Sequence, residues 1–230
     1  MSSPHKLFYK GTPTLESQPS PFGGAGGGRI TLTNIGKRYN REWIFRHFNY
    51  TFSANKKYAI TGPNGSGKST LLQVIAGAII FNEGDIQYTG AGQEQIPNEN
   101  IYRQISIAAP YLELIEEMTA NEFLSFHSTF KPLIISNDEI LKIVNLEKAA
   151  AKQIRYFSSG MKQRLKLAQA FFCSSPVLLL DEPATNLDID GIALYRHLIT
   201  NYTKDKIVII SSNDKQEYDF CDEVISVADH

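Results

Sequence analysis

From residue 29 onward the apolar positions fall into blocks whose period changes along the chain. Residues 30–34 (ITLTN) alternate, and so do residues 44–52, with Phe48, Tyr50 and Phe52 on every second place; both read as strands. Residues 56–61 (KKYAIT) read as a third strand that runs straight into Gly62. The spacing then becomes helical from Lys68 to Ala76, closed by Gly77 as a C-terminal cap. Strands are expected at 84–89 and 105–109, on either side of a polar loop, GAGQEQIPNEN. Between 119 and 150 two helical stretches follow, TANEFLSFHSTF and SNDEILKIVNLEKAAA. Each opens on a hydroxyl with an acid three residues on, Thr119 with Glu122 and Ser136 with Glu139, the capping-box pattern. A further helix carries Met161, Leu165, Ala168 and Phe172 as its apolar stripe. The remainder reads as the strand VLLL, the helix Ile189–Tyr202, the strand KIVIIS, a short helix after Asn213, and a last strand EVISVA.

Apolar strands alternating with helices predict a mainly parallel sheet covered on both faces. The N-terminal strands, antiparallel in pattern, would flank it, and the helical block would be an insertion. The first 28 residues stand apart: they are dense in Pro, Gly and Ser, without periodicity or the apolar run of a secretory signal, and read as a disordered extension or an added linker. The folded unit is expected at 29–230.

Bulk composition narrows the function classes. The 230 residues are 42% hydrophobic and 20% charged, an ordinary globular composition. With 23 basic and 24 acidic side chains the net charge is −1, which gives no basic footprint for nucleic acid. Cys173 and Cys221 are too few for a disulfide framework or a metal cluster and read as free thiols. The longest apolar run, residues 74–81, is far too short to span a bilayer, so membrane association would go through a partner. The five histidines read as surface residues.

The chemistry concentrates in two motifs. GPNGSGKST, residues 62–70, fits G-x-x-x-x-G-K-[ST] between an apolar strand and an amphipathic helix. Gly62, Gly65 and Gly67 let the backbone curl so that the N–H groups of the loop, through Pro63, Asn64 and Ser66, surround phosphate. Lys68 would place its charge on the β- and γ-phosphates, Ser69 a hydroxyl on Mg²⁺, and Thr70 a contact near the α-phosphate. The second motif, VLLLDEP, delivers Asp181 and Glu182 at the C-terminal end of a buried strand, where open α/β sheets keep their ligands. Asp181 would hold Mg²⁺ through water, and Glu182 would act as general base on an attacking water. A third stretch, residues 156–172 (YFSSGMKQRLKLAQAFF), opens a helix on two serines and a glycine, a second place suited to an anion.

A phosphate loop, then S-x-G before KQR, then LLLDEPATNLD resembles the nucleotide-binding subunits of ATP-binding cassette (ABC) transporters, over about residues 29–227. The resemblance implies an α/β P-loop NTPase with a mainly parallel sheet core, an antiparallel N-terminal β subdomain and an inserted helical subdomain at about 111–160. It implies ATP and Mg²⁺ as ligands. Ser158, Ser159 and Gly160 would bind the γ-phosphate of ATP held by a second cassette, in a head-to-tail homodimer or heterodimer. Tyr39 would stack on adenine, and Asn186, Leu187 and Asp188 would link the two sites. A separate transmembrane permease subunit would be driven by the dimer, placing the chain at the cytoplasmic face of the cell membrane, with no nucleic acid involved. Four positions depart from the family pattern. Ser159 and Met161 replace a glycine and a glutamine. Pro110 stands where a glutamine reaches Mg²⁺, and Asn213 where a histidine grips the γ-phosphate. Hydrolysis, slowed by these changes, is therefore expected; the alternative is a nucleotide-dependent clamp or regulatory module that hydrolyses poorly.

Overall fold

Strands β1 (Arg29–Tyr39) and β2 (Glu42–Ser53) form an antiparallel hairpin in the computed structural model, which describes residues 27–227. The expectations for the N-terminal extension therefore fall almost wholly outside the described residues. β1 extends past the predicted end at Asn34. Asn34 has φ +53°, which breaks the alternation, but its N–H donates to Asn49 Oδ1 at 2.7 Å and pairing resumes beyond a register shift. β3 (Lys57–Thr61) leads into α1 (Lys68–Ile75), and Gly77 at φ +69° ends that helix as predicted. β4 (Glu83–Thr89) joins β1. The expected polar loop contains a two-residue strand, β5 (Gln95–Ile96), and a 3₁₀ turn at Asn98–Arg103.

β6 (Ile105–Ala108) precedes the helical block, α2 (Ala120–Ser128) and α3 (Asn137–Ile143). Both capping boxes are formed: each cap hydroxyl accepts from the N–H of Glu122 or Glu139, whose carboxylate accepts in return. α3 is shorter than its apolar pattern. Asn145 at φ +57° and the bonds Leu146 N to Leu141 O and Asn145 N to Lys142 O close it, the left-handed C-cap that asparagine tolerates. Then come α4 (Ser159–Phe171), β7 (Val177–Asp181), α5 (Ile189–Tyr202), β8 (Ile207–Ser211), α6 (Lys215–Tyr218) and β9 (Glu223–Ser226).

The sheets are β2-β1-β4-β5, antiparallel, and β6-β7-β8-β3-β9, parallel. The parallel sheet divides the core. Leu178, Leu180, Val208 and Ile210 face α2–α5, whereas Val177, Leu179, Ile207 and Ile209 face α1 and the antiparallel sheet. Burial on both faces explains why β7 and β8 read as continuous apolar runs. Three of the strands that carry the motifs, β3, β8 and β7, are neighbours and parallel, so their C-terminal ends open on one edge.

The histidine expectation is corrected in part. His47 is exposed, but His127 and His197 are partly buried, and His127 Nε2 is shielded without a hydrogen-bond partner. Burial, reinforced by Lys131, lowers the His127 pKa. His5 and His230 lie outside the described residues.

Candidate functional site

The loop between β3 and α1 is an anion cradle by its backbone. Gly62, Gly65 and Gly67 have φ of 147°, 84° and 94°, a region that disfavours side chains. α1 has no side-chain cap. Among the described residues, the N–H groups of Gly65, Gly67, Lys68, Ser69 and Thr70 have no protein partner. A helix end left open in this way attracts negative charge. A Cβ at Gly65 would meet nothing within 4 Å, whereas one at Gly67 would lie 2.4 Å from Ile44 Cγ2 and 3.1 Å from Phe45 Cδ1. Gly65 thus borders open space, and Gly67 is where the hairpin presses on the loop. Lys68 is buried and folds over the loop, donating to the carbonyls of Gly62 (2.7 Å) and Pro63 (3.2 Å).

The same hairpin carries Tyr39 to this side of the molecule. Lys37 pairs with Phe45, which touches Gly67, and Tyr39 lies two residues further, at the end of β1. Its ring is half-exposed, with Lys37 Nζ 4.6 Å from the centroid.

Asp181 ends β7 opposite Ser211 of β8. It is 2% exposed, and its Oδ1 has no hydrogen-bond partner; the same holds for Ser211 Oγ and Ser66 Oγ. Buried polar atoms without partners are uncommon and point to a missing polar ligand. Among the described residues no three His, Cys, Asp or Glu side chains group as a metal site. One buried carboxylate suits a magnesium ion whose other ligands are water and phosphate oxygens, with the Ser69 hydroxyl at the start of α1 as the expected second protein ligand. Glu182 is exposed at φ +44°, held by its N–H on Ser211 O at 2.9 Å. Such a conformation costs a non-glycine residue about 1–3 kcal/mol and persists where the surroundings impose it.

Asn213 reaches the cradle from the end of β8. Its Oδ1 accepts from Gly62 N–H at 3.4 Å, and its Nδ2 donates to Asn64 Oδ1 at 3.2 Å. Ser158, Ser159 and Gly160 are not bonded to this cradle among the described residues. Ser158 caps α4, its hydroxyl accepting from Met161 N–H at 3.2 Å, while the N–H groups of Ser159 and Gly160 stay unpartnered. The two serines are exposed. α4 is fastened instead to the segment after Glu182. Gln163 donates to Pro183 O at 2.8 Å, Arg164 pairs with Asp188 at 3.0 Å, and Gly160 faces Asn186 O.

Pro110 is expected from its place in the family pattern, whereas Tyr111 and Glu217 have no motif to mark them. Pro110 follows β6, and Lys166 of α4 donates to its carbonyl at 3.0 Å. Burial first, and then the charge of Asp181, push the Tyr111 phenol up to about 12. Glu217 of α6 is buried and accepts from Ala184 N–H at 2.7 Å, so it braces the loop that begins at Glu182. Burial, with help from the Asp214 and Glu182 charges, raises its pKa despite the hydrogen bond from Ala184. A carboxyl raised in the folded state contributes stability below its unfolded value, about 4.3, and loses it as pH rises through the folded value. Glu217→Gln keeps an acceptor for Ala184. Its stability relative to the natural protein is expected to improve as pH rises from 4.5 to 8, a trend readable in urea midpoints; parallel pH profiles would remove Glu217 as the cause.

A phosphate cradle after β3 and a buried aspartate two strands away, on β7, define a P-loop nucleotide-binding fold. The family model for ABC transporters matches residues 45–185. The uncharacterized ABC transporter ATP-binding protein YybJ of Bacillus subtilis (strain 168) is 31% identical over 192 residues, 82% of this chain and 87% of that protein. The tungstate uptake system ATP-binding protein TupC of Peptoclostridium acidaminophilum is 28% identical over 204 residues, 86% and 93% of the two chains. Among solved structures, a putative ABC transporter ATP-binding protein from Pyrococcus furiosus matches with TM-score 0.75 at 20% identity, over 88% of this chain and 98% of that one. A bacterial ABC transporter cassette solved as a dimer matches with TM-score 0.72 at 23% identity, over 86% and 95%. The chain belongs to the ABC transporter family, among its ATP-binding subunits.

Proposed function

We propose that the chain binds and hydrolyses MgATP as the motor subunit of a membrane transporter. The observation that carries this reading is the set of orphaned polar groups on one sheet edge: the free N–H groups of Gly65 and of residues 67–70, and the partnerless Asp181 Oδ1, with Glu182 beside it. The cradle and Lys68 hold the phosphates, Tyr39 the adenine. Asp181 and Ser69 hold Mg²⁺, which when bound neutralises phosphate charge. Glu182 takes the proton of the attacking water. Positioning and electrostatics dominate phosphoryl transfer, so a site without glutamine at Pro110 and without histidine at Asn213 turns over slowly.

The exposed Ser158 and Ser159, with the half-buried Gly160, complete the site of a second cassette, identical or different, and two ATP are enclosed head to tail. No helix among the described residues is long and apolar enough to cross a membrane, which is consistent with work delivered to a separate permease at the cytoplasmic face. Magnesium-dependent phosphate release from the natural protein is expected well above that of Lys68→Ala. Equal rates, with ATP binding retained by the natural protein, would favour the poorly hydrolysing clamp.

A further inference from the structure

Tyr39 stands at the tip of the β1–β2 hairpin, where the sheet gives it little support. β1 pairs with β4 only as far as Gly36, opposite Glu83. Beyond that residue β2 alone lies beside it among the described residues, and the hairpin turns at Asn40, φ +54°. On the open side the segment between α1 and β4 takes over. Asn82 N–H donates to Gly36 O at 2.7 Å, Arg38 N–H donates to Asn82 Oδ1 at 2.9 Å, and Lys37 Nζ donates to Ile80 O at 2.7 Å. The same ammonium lies 4.6 Å from the centroid of the Tyr39 ring, a cation–π contact. One cation thus joins the ring to the segment that follows α1, and α1 is the helix whose uncapped N-terminus closes the phosphate cradle.

The bonds from Asn82 hold the backbone of β1 but no side-chain torsion of Tyr39. An exposed tyrosine is free to change rotamer, and a ligand that must immobilise it binds more weakly for that ordering. Lys37 restrains the ring before any ligand arrives. It covers one face, and Tyr39 remains 49% exposed, so the ring still has surface to offer a base.

We propose that Lys37 is the positioning residue for the base end of the nucleotide site: gripping both the Ile80 carbonyl and the Tyr39 ring, it keeps that ring ordered at a fixed span from the phosphate cradle. The proposal rests on the reading of Tyr39 as the surface that takes adenine. It gives the hairpin tip and the turn after α1 a shared task, which the phosphate loop alone does not require.

The test uses the full-length chain in EDTA, so that no nucleotide is hydrolysed. A fluorescent ATP analogue is displaced either by ATP or by inorganic tripolyphosphate, which carries phosphates without a base. In the natural protein ATP is expected to compete better than tripolyphosphate, and Tyr39→Ala to remove most of that advantage. Lys37→Met should cut the advantage about two- to fivefold, the weight of one exposed cation–π contact, and leave tripolyphosphate binding within about twofold. Lys37→Arg, which keeps a cation, should retain most of it. In a Tyr39→Ala background Lys37→Met should change nothing further, because no ring is left to hold. An equal loss for both ligands in Lys37→Met, at an unchanged urea midpoint, overturns the proposal, since the lysine then acts through charge alone. A Lys37→Arg no better than Lys37→Met also overturns it, as does a full Lys37→Met effect in the absence of the Tyr39 ring. If the natural protein shows no advantage for ATP, or Tyr39→Ala keeps it, the adenine reading falls and the role of Lys37 with it. If Tyr39→Ala removes the advantage and Lys37→Met does not reduce it, only the role of Lys37 falls.

Discussion

Glu182→Gln is expected to cut ATP turnover by about 10²–10⁴-fold, the usual contribution of a positioned general base. The substitution is nearly isosteric. The backbone at φ +44° and the hydrogen bond from Glu182 N–H to Ser211 O involve no side-chain atom of Glu182, so both should survive it. Asp181, Lys68 and the open N–H groups of the cradle are untouched, so ATP affinity should hold. With binding intact and hydrolysis blocked, the ATP-bound assembly should accumulate and elute as a dimer during size exclusion with MgATP. The natural protein, cycling through the open state, should elute mainly as a monomer. Turnover in the variant within tenfold of the natural rate would remove Glu182 from the base role.

The second large effect is on the fold of the cradle itself. Gly67→Ala is expected to destabilise the protein and abolish ATP binding, whereas Gly65→Ala should be much milder for stability. Both positions have positive φ, 94° and 84°, so both variants bear conformational strain, about 1–3 kcal/mol. Only Gly67 adds a steric collision: its Cβ would sit 2.4 Å from Ile44 Cγ2, in the hairpin that packs on the loop. Overpacking of this kind costs about 1–3 kcal/mol more. The sum, about 2–6 kcal/mol, is a large share of the 5–15 kcal/mol typical of a domain. Urea midpoints of the two variants separate the terms, and equal midpoints would mean that the hairpin yields. The Gly65 methyl would point into open space, so its effect should fall on phosphate binding rather than on folding.

Much of this was legible in the sequence because it is local. Both capping boxes, the Gly77 stop, the phosphate loop and the strand delivering Asp181 each depend on residues a few positions apart. Where local reading stopped, tertiary pairing had the final word. β1 continues beyond Asn34 because β2 supplies Asn49 to bridge the bulge, and Asn49 is fifteen residues away. α3 ends at Asn145 although apolar spacing continues, since a left-handed asparagine closes it.

The sequence by itself determined the alternation of strands and helices, the phosphate loop and the carboxylate pair, because backbone conformation and side-chain chemistry are written within single segments. Only the tertiary structure decided which distant groups share the site. Parallel pairing of β6, β7, β8 and β3 sets Pro110, Asp181, Asn213 and Gly62 on one edge. It also brings in Glu217, whose carboxyl carries no motif and gains its meaning from Ala184, 33 residues away.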